Sequence, residues 1–238
     1  MTALDKVQVY YFTLKTLQDG AYHRFTSQEE KMRALKFRSE EDRLMFLLSR
    51  GFLRSLLAGN LGCDCAEVHL RHSPNGKPVL YGTGKRIHFN MSHSGTSGLC
   101  AISFEKEVGV DLEAVRPYLP EILEGLIDDC FTSQEKKIWE SLLPKKRPDL
   151  FFKFWVRKEA ATKAMGNGLT FPLNHLDVSG ITERPIRIRG VEQEEICLAI
   201  RDIDVPAPYV AALCLKNGYT LNEPQVLCLE TEKRILKI

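Results

Sequence analysis

The chain has 238 residues, of which 44% are hydrophobic and 27% charged, and its formal net charge is +2. This length suits one large domain or two smaller ones, and the composition is that of an ordinary globular protein. No apolar run approaches the roughly 18 residues of a membrane span, and the first residues lack a signal-peptide pattern. Seven scattered cysteines without zinc-site spacing predict a reduced, cytoplasmic protein.

The charge is divided unevenly along the chain. Residues 1–106 carry a net charge of +5 and residues 107–238 a net charge of −3. A basic half beside an acidic half suits a phosphorylated substrate held between them. A nucleic-acid-binding protein would show a pI above about 9 and clustered basic and aromatic residues. The pI of 8.1 and the lack of such clusters argue against that class.

Capping and turn signals divide the first 106 residues into short elements. A Ser-x-x-Glu capping box at Ser27 and a second serine, Ser39, each start a helix. The segment Pro74-Asn75-Gly76 predicts a hairpin turn. The expected elements are a strand at Val7–Leu14, helices over 28–37 and 40–58 with Gly59 as the stop, and strands at His69–Ser73, Lys77–Tyr81, Arg86–Met91 and Gly98–Ser103.

The remaining residues predict a strand, two helices and a strand-rich end. A capping box at Thr132 starts a helix to about Leu142, and a longer helix runs from Pro148 to Met165, where Gly166-Asn167-Gly168 ends it. Strands are expected at Leu176–Ser179, Ile186–Arg189, Ile196–Ile200 and Tyr209–Leu215. Helices and strands mix without a regular βαβ pattern, which predicts an α+β fold.

Two segments carry the residues that indicate chemistry. The strand Val108-Gly109-Val110-Asp111-Leu112-Glu113 alternates with period two, so Asp111 and Glu113 share one face beside Gly109. The helix from Trp155 to Lys163 has the sequence WVRKEAATK, and Glu159 and Lys163 stand one turn apart on it. These charges could be solvated faces of an ordinary strand and helix. However, Asp111 ends an apolar strand, where a charge needs a partner.

Three carboxylates and a lysine around one open position form a typical Mg²⁺ and phosphate site. Mg²⁺ prefers oxygen ligands and shares its coordination shell with substrate phosphates. We therefore predict that Asp111, Glu113 and Glu159 bind Mg²⁺, or Mn²⁺ in its place. Lys163 is expected to stabilise a phosphate beside the metal.

The two segments and their separation resemble the signature motifs of the 4′-phosphopantetheinyl transferases of the surfactin-synthetase-activating (Sfp-like) type. That family has V/I-G-V/I-D, then, about forty residues later, W/F-x-x-K-E-A/S-x-x-K. The resemblance implies a pseudodimer of two similar α/β halves with the active site between them. Here these would be residues 1–106, which bind the phosphates of coenzyme A, and residues 107–238, which bind Mg²⁺ and catalyse. The resemblance also implies a monomer.

The resemblance further implies which residues hold coenzyme A. Arg50, on a helix that also carries Arg43 and Arg54, is the best-placed arginine, and Lys77 belongs to a matching G-K-P segment. The segment Phe89-Asn90-Met91-Ser92-His93-Ser94 matches F-N-x-S-H-S/T, in which Ser92 and His93 would donate to the pyrophosphate. The other candidate phosphate contacts are Lys31, Arg33 and Lys158. Many members have an arginine where this chain has Met45 or Phe46, so the grip on the adenine end differs.

The function implied is transfer of the 4′-phosphopantetheine group of coenzyme A, the co-substrate, to a serine of an apo acyl or peptidyl carrier protein. The serine proton would pass to Glu159 or to a water held by the metal. The main alternative is an inactive coenzyme A- or carrier-binding module of the same fold. Neither a nucleic acid nor a membrane is an expected partner.

Overall fold

The computed structural model describes residues 7–73, 76–82, 84, 86–116, 120–166, 171–180, 185–189, 194–218, 225–229 and 235–237. Helices and strands are mixed in the α+β manner expected. In chain order they are β1 Val7–Thr13, α1 Leu14–Asp19, α2 Gln28–Ala34, α3 Glu40–Leu61, β2 His69–His72, β3 Pro78–Tyr81, β4 His88–Ser94, β5 Ser97–Ser103, β6 Val108–Ala114, α4 Pro120–Cys130, α5 Ser133–Ser141, α6 Arg147–Met165, β7 Ile186–Arg189, β8 Glu195–Ile203, β9 Tyr209–Lys216, β10 Gln225–Leu229 and β11 Ile235–Lys237.

Several elements differ from the sequence-based expectation. The first strand ends at Thr13, whose side chain caps α1, a helix that was not predicted. Helix α3 continues through Gly59 and ends at Gly62, which has the positive φ of 74° that glycine tolerates best. Residues 176–179 form no strand, and α4, β10 and β11 were not predicted. Pro74, Asn75, Asn167 and Gly168 lie outside the described residues.

The strands form two main sheets and a hairpin. The first sheet has the order β11-β10-β1-β5-β4, and the second has the order β6-β9-β8-β7. Strands β2 and β3 pair with each other as the expected hairpin. No described helix has the length and apolar character that a membrane span requires.

In the part of the chain that the structure describes, three hydrophobic cores hold these layers together. One packs α3 on a face of the first sheet, and another packs α4, α5 and α6 on a face of the second sheet. The third lies between the two sheets and contains Val9 of β1, Val110 of β6 and Leu213 of β9. The side chains of β1 alternate between the core under α3 and the core between the sheets, and those of β6 alternate between the core between the sheets and the face covered by α6, because successive side chains of a strand point to opposite faces.

The two sheets meet edge to edge at β4 and β6, the outer strands of their sheets. Residues 90, 92 and 94 of β4 bond in that order to residues 110, 111 and 113 of β6, so the strands run in the same direction. These bonds use the β4 side chains. The junction of β4, β6 and the overlying α6 is where the predicted charged residues gather.

Candidate active site

Strand β6 presents its acidic residues away from the core, as its period-two pattern predicts. Val108, Val110 and Leu112 are fully buried between the sheets. Asp111 and Glu113 therefore lie on the face that α6 covers. Asp111 is only 3% exposed, so its carboxylate is removed from bulk water.

Gly109 lets helix α6 lie directly against β6. A Cβ at this position would stand 2.0 Å from the carbonyl oxygen of Ala160 and 2.4 Å from the amide nitrogen of Ala164. Both are backbone atoms that cannot move aside, so any side chain here would push the helix away from the strand. The glycine of the first motif thus brings the carboxylates of β6 within reach of α6.

Lys163 of α6 pairs with Asp111 across this contact. Its Nζ lies 2.6 Å from Asp111 Oδ1 and 3.1 Å from the hydroxyl oxygen of Ser92, and it donates to the carbonyl oxygen of Val110 at 3.4 Å. The predicted neighbourhood of Lys163 and Asp111 is thus present in the structure. The ammonium provides the positive charge that the buried aspartate requires.

Strand β4 contributes polar side chains whose role the sequence reasoning missed. Asn90 accepts a hydrogen bond from the amide of Val110 at 3.0 Å, Ser92 donates to Asp111 Oδ1 at 2.7 Å, and Ser94 donates to Glu113 Oε2 at 2.8 Å. The signal was available, because three polar residues two positions apart in a buried strand share one face. Together they orient the carboxylates of β6.

The hydroxyl group of Ser92, a predicted pyrophosphate donor, is bonded to a carboxylate of β6 in this structure. A serine hydroxyl has one proton, and that of Ser92 is donated to Asp111 in this structure. His93 points to the other face of β4 and is exposed. Desolvation lowers the pKa of His93, and the positive charges of Lys163 and Arg50 lower it further, although Asp42 opposes them.

Burial and mutual repulsion raise the pKa values of two carboxyl groups. For Glu159, desolvation raises the pKa most and the charges of Asp111 and Glu113 raise it further, while Lys163 acts against them. For Glu113, desolvation again raises the pKa, and the hydrogen bond from Ser94 opposes the shift. Three negative charges therefore share a region in which the positive charges of Lys163 and Arg116 provide only partial compensation.

Among the described residues, two buried carboxylate oxygens, Asp111 Oδ2 and Glu159 Oε1, have no hydrogen-bond partner. A buried oxygen in this condition is costly unless a cation or a proton reaches it. Oxygen donors with excess negative charge are those that Mg²⁺ prefers, so the residues fit such an ion chemically. As arranged here, no three Asp, Glu, His or Cys side chains of the described residues form a ready-made metal cluster.

Substituting Glu159 by glutamine should stabilise the metal-free protein. The pKa of Glu159 is raised, so ionisation of this group costs the folded state more than the unfolded state above that pKa. We expect Glu159→Gln to raise the melting temperature in EDTA at neutral pH. The exposed Glu140, changed to glutamine, serves as the control. A lower melting temperature for Glu159→Gln would contradict this electrostatic account.

Arg50 and Arg33 flank one aromatic ring in the first half of the chain. Their guanidinium carbons lie 5.4 and 5.5 Å from the ring centroid of Phe46. Arg33 Nη1 also lies 3.1 Å from His72 Nε2. Met45 is a core residue that is 1% exposed, so Phe46 is the one of the two that faces this basic surface. Lys31, on α2, is exposed.

The three arginines of α3 do not form one solvated stripe. Arg54 is buried, with its Nε 3.2 Å from Glu30 Oε2 and its Nη1 donating to the carbonyl oxygen of Val68. It therefore holds α2 and the start of β2 against α3. Arg43 and Arg50 remain partly exposed, and of these two Arg50 lies beside the ring of Phe46.

Lys77 joins the two halves of the chain and does not stand free. Its Nζ donates to the carbonyl oxygens of Lys163 at 3.1 Å and Val108 at 3.4 Å, and lies 3.5 Å from Glu107 Oε2. The hydrogen bond with His88 and the charge of Lys77 lower the pKa of Glu107 to about 2. A cavity of about 340 Å³ opens beside these three side chains.

The assignment of Lys158 to a phosphate contact is wrong. Lys158 is completely buried, and its Nζ lies 2.8 Å from Glu135 Oε2 and 2.9 Å from the carbonyl oxygen of Leu173, and it also donates to that of Leu176. All three protons of the ammonium are used. Successive side chains of a helix point about 100° apart, so Lys158 can point into the protein while Glu159, the next residue, faces the strand β6.

Both halves of the chain are similar in sequence to 4′-phosphopantetheinyl transferases. Residues 107–214 match the model of the 4′-phosphopantetheinyl transferase superfamily, and residues 20–104 match that of the 4′-phosphopantetheinyl transferase N-terminal region. The chain is 34% identical over 168 residues to the 4′-phosphopantetheinyl transferase HetI of Nostoc sp., covering 68% of each protein. It is 38% identical over 156 residues to a putative 4′-phosphopantetheinyl transferase of Synechocystis sp., covering 65% of this chain and 63% of that protein. It is 27% identical over 193 residues to the 4′-phosphopantetheinyl transferase Sfp of Bacillus subtilis, covering 80% and 82%.

Proposed function

The chain belongs to the 4′-phosphopantetheinyl transferase superfamily, and we propose that it transfers the 4′-phosphopantetheine group of coenzyme A to a serine of an apo acyl or peptidyl carrier protein. The serine oxygen attacks the phosphorus that carries pantetheine, and the bond to the leaving phosphate breaks. The products are the holo carrier protein and adenosine 3′,5′-bisphosphate.

The observation that carries this proposal is the charge cluster on the facing sides of β6 and α6. Asp111, Glu113, Glu159 and Lys163 all fall within the matched region of the chain. The charges of Asp111, Glu113 and Lys163 all influence the pKa of Glu159, which supports one shared site. Transfer from a pyrophosphate requires stabilisation of charge on phosphate oxygens, and such a cluster provides it once a divalent cation is bound.

We propose that Asp111, Glu113 and Glu159 hold Mg²⁺, for which Mn²⁺ can substitute. The unpartnered oxygens Asp111 Oδ2 and Glu159 Oε1 support this assignment. The ion would supply positive charge to the pyrophosphate. Ser92 and Ser94 would keep the carboxylates of Asp111 and Glu113 oriented through their hydrogen bonds.

The remaining steps belong to side chains of α6. Glu159, or a water held by the ion, would accept the proton of the carrier serine. Lys163, which is 27% exposed at its side chain, reaches the same cluster and stabilises the transferred phosphoryl group or the leaving oxygen. Its ammonium must turn from Asp111 toward the phosphate to do so.

Coenzyme A is proposed to lie along the basic surface of the first half. Arg50 and His93 are proposed phosphate contacts, and the charges of both Arg50 and Lys163 lower the pKa of His93, which supports their proximity to one another. Arg33 and Lys31 would contact the 3′-phosphate, and Phe46 offers a ring to the adenine end. Lys77 would serve mainly by holding the G-K-P segment against α6.

Arg50→Ala should weaken coenzyme A binding more than it slows turnover. A charged hydrogen bond to phosphate is worth roughly 1.5–3 kcal/mol, so the KM for coenzyme A should rise at least about tenfold. The kcat should change less, because Arg50 binds ground state and transition state alike. The same substitution at Arg43 is the matched control, and dephospho-coenzyme A should be a poorer substrate. An unchanged KM for Arg50→Ala would remove Arg50 from the binding site.

We also propose that residues 1–106 and 107–238 are two similar halves of a pseudodimer. The orders β1-β5-β4 and β6-β9-β8 match, and the neighbours in both are antiparallel. A long helix, α3 or α6, follows the first strand of each half. This correspondence supports a site formed where the two halves meet. Because one chain contains both halves, the site is complete in a monomer.

The cytoplasm is the proposed location. Cys63, Cys65, Cys100, Cys130, Cys197 and Cys214 are all free thiols in the described part of the chain. Such thiols persist where the surroundings are reducing.

The test of the function is an incubation with coenzyme A, Mg²⁺ and a panel of apo carrier proteins, followed by intact-mass measurement of each carrier. Addition of one phosphopantetheine to at least one carrier, abolished by EDTA, is the expected result. An inactive coenzyme A- or carrier-binding module would bind its ligands and leave every carrier unmodified, even at enzyme concentrations equal to that of the carrier.

A further inference from the structure

Lys158 and Glu135 form a fully buried ion pair in which every polar atom is used. Glu135 Oε2 accepts from the amide of Thr132 at 2.8 Å and lies 2.8 Å from Lys158 Nζ, while Oε1 accepts from the amide of Val178 at 2.8 Å. Both side chains have no exposed area. Lys158 adds its bonds to the carbonyl oxygens of Leu173 and Leu176.

This network joins three separate parts of the second half. Glu135 belongs to the capping box at the start of α5, Lys158 lies in the middle of α6, and residues 173–178 follow α6 in the chain. Burying two opposite charges costs much of what their attraction returns, so such a pair is weak support for stability itself. Its clearer effect is to permit only the one arrangement in which all donors and acceptors are satisfied.

The network holds α6 on the side away from the charge cluster. On the other side, the backbone of α6 at Ala160 and Ala164 rests on Gly109. The helix is thus fixed between a strand and a buried ion pair. Rotation about its axis would break the bonds of Lys158 and turn Glu159, the next residue, away from Asp111.

We propose that Lys158 and Glu135 are positioning residues that set the rotation of α6, and thereby aim Glu159 and Lys163 at Asp111, without touching substrate. The proposal rests on the function proposed above. It differs from a phosphate-binding role for Lys158, which would appear in the affinity for coenzyme A. It also differs from a purely stabilising role, which would appear only in the melting temperature.

The test is the double variant Lys158→Met/Glu135→Gln, which removes both charges and keeps side chains of similar length. The variant is studied well below its melting temperature. We expect the kcat of carrier modification to fall at least about tenfold with the KM for coenzyme A within about twofold of the unmodified protein, since small misplacement of reacting groups is costly. Mn²⁺ binding, followed by electron paramagnetic resonance, should also weaken by at least about threefold because Glu159 is displaced.

The matched control is Lys136→Met, which breaks the exposed pair of Lys136 with Asp128 on the neighbouring helix. It should leave kcat, KM and Mn²⁺ affinity unchanged. Should the double variant fail to fold, Lys158→Met alone gives the same comparison, because the carboxyl group of Glu135 can take up a proton and keep its hydrogen bonds from the amides of Thr132 and Val178. An unchanged kcat, or a raised KM with an unchanged kcat, would overturn the positioning role. A lack of transfer by the unmodified protein would instead overturn the proposed function.

Discussion

Asp111→Asn should lower the rate of phosphopantetheine transfer at least about 100-fold, the scale found when a charge-stabilising group is removed from an active site. Asparagine keeps the shape of the side chain and can still accept from Ser92, so the fold should be retained. The loss would come from the missing negative charge at the position where β4, β6 and α6 meet. Asp111→Ala and Glu159→Ala should give losses of the same order.

The measurement is the initial rate of holo carrier formation by intact mass, at saturating coenzyme A and Mg²⁺. Asp128→Asn is the matched control, because Asp128 also pairs with a lysine but is 78% exposed at its side chain. It should retain full activity. Retention of activity by Asp111→Asn would show that the charge cluster is not the catalytic centre.

Lys163→Met should have opposite effects on catalysis and on metal binding. Turnover should fall about 100-fold, because the charge proposed to stabilise the phosphoryl group is lost. In the absence of coenzyme A, however, Mn²⁺ should bind at least about tenfold more tightly, equal to about 1.4 kcal/mol. The reason is that the ammonium of Lys163 lies 2.6 Å from Asp111 Oδ1 and competes with the metal for that oxygen.

The affinity is measured by titration calorimetry or by electron paramagnetic resonance of Mn²⁺. Lys153→Met provides the control, since Lys153 lies on the same helix but pairs with Asp202 at 3.1 Å. It should change neither quantity. If Lys163→Met binds Mn²⁺ no more tightly than the unmodified protein, Lys163 does not occupy the place of the metal.

Local patterns were sufficient for the parts of the fold that depend on neighbours in the chain. The period-two alternation of β6 correctly placed Val108, Val110 and Leu112 in the core and the acidic residues on the opposite face. The capping boxes at Ser27 and Thr132 start helices as predicted. These signals are local because backbone capping and strand alternation are decided within a few residues.

Two other predictions failed, one because distant residues decide the outcome and one because a better helix end lies nearby in the chain. Residues 176–179 alternate apolar and polar side chains as a strand does, but the carbonyl oxygen of Leu176 and the amide of Val178 bond to Lys158 and Glu135. Gly59 lies inside α3, because the helix has a better end at Gly62. At residues 176–179 tertiary contacts outweigh the local preference, whereas at Gly59 the cap formed by Gly62 outweighs a local cost of about 1 kcal/mol for a glycine inside a helix.

The sequence by itself determined which residues could form the site, since the two motifs place three carboxylates and a lysine on one strand and one helix. Only the tertiary structure decided what each charged residue does. Lys158 and Glu159 are adjacent in the chain, yet one is buried in an ion pair and the other faces the charge cluster. The reason is physical: the cost of burying a charge depends on partners brought together by folding, such as Glu135 for Lys158 and Lys163 for Asp111, and no local pattern encodes those distances.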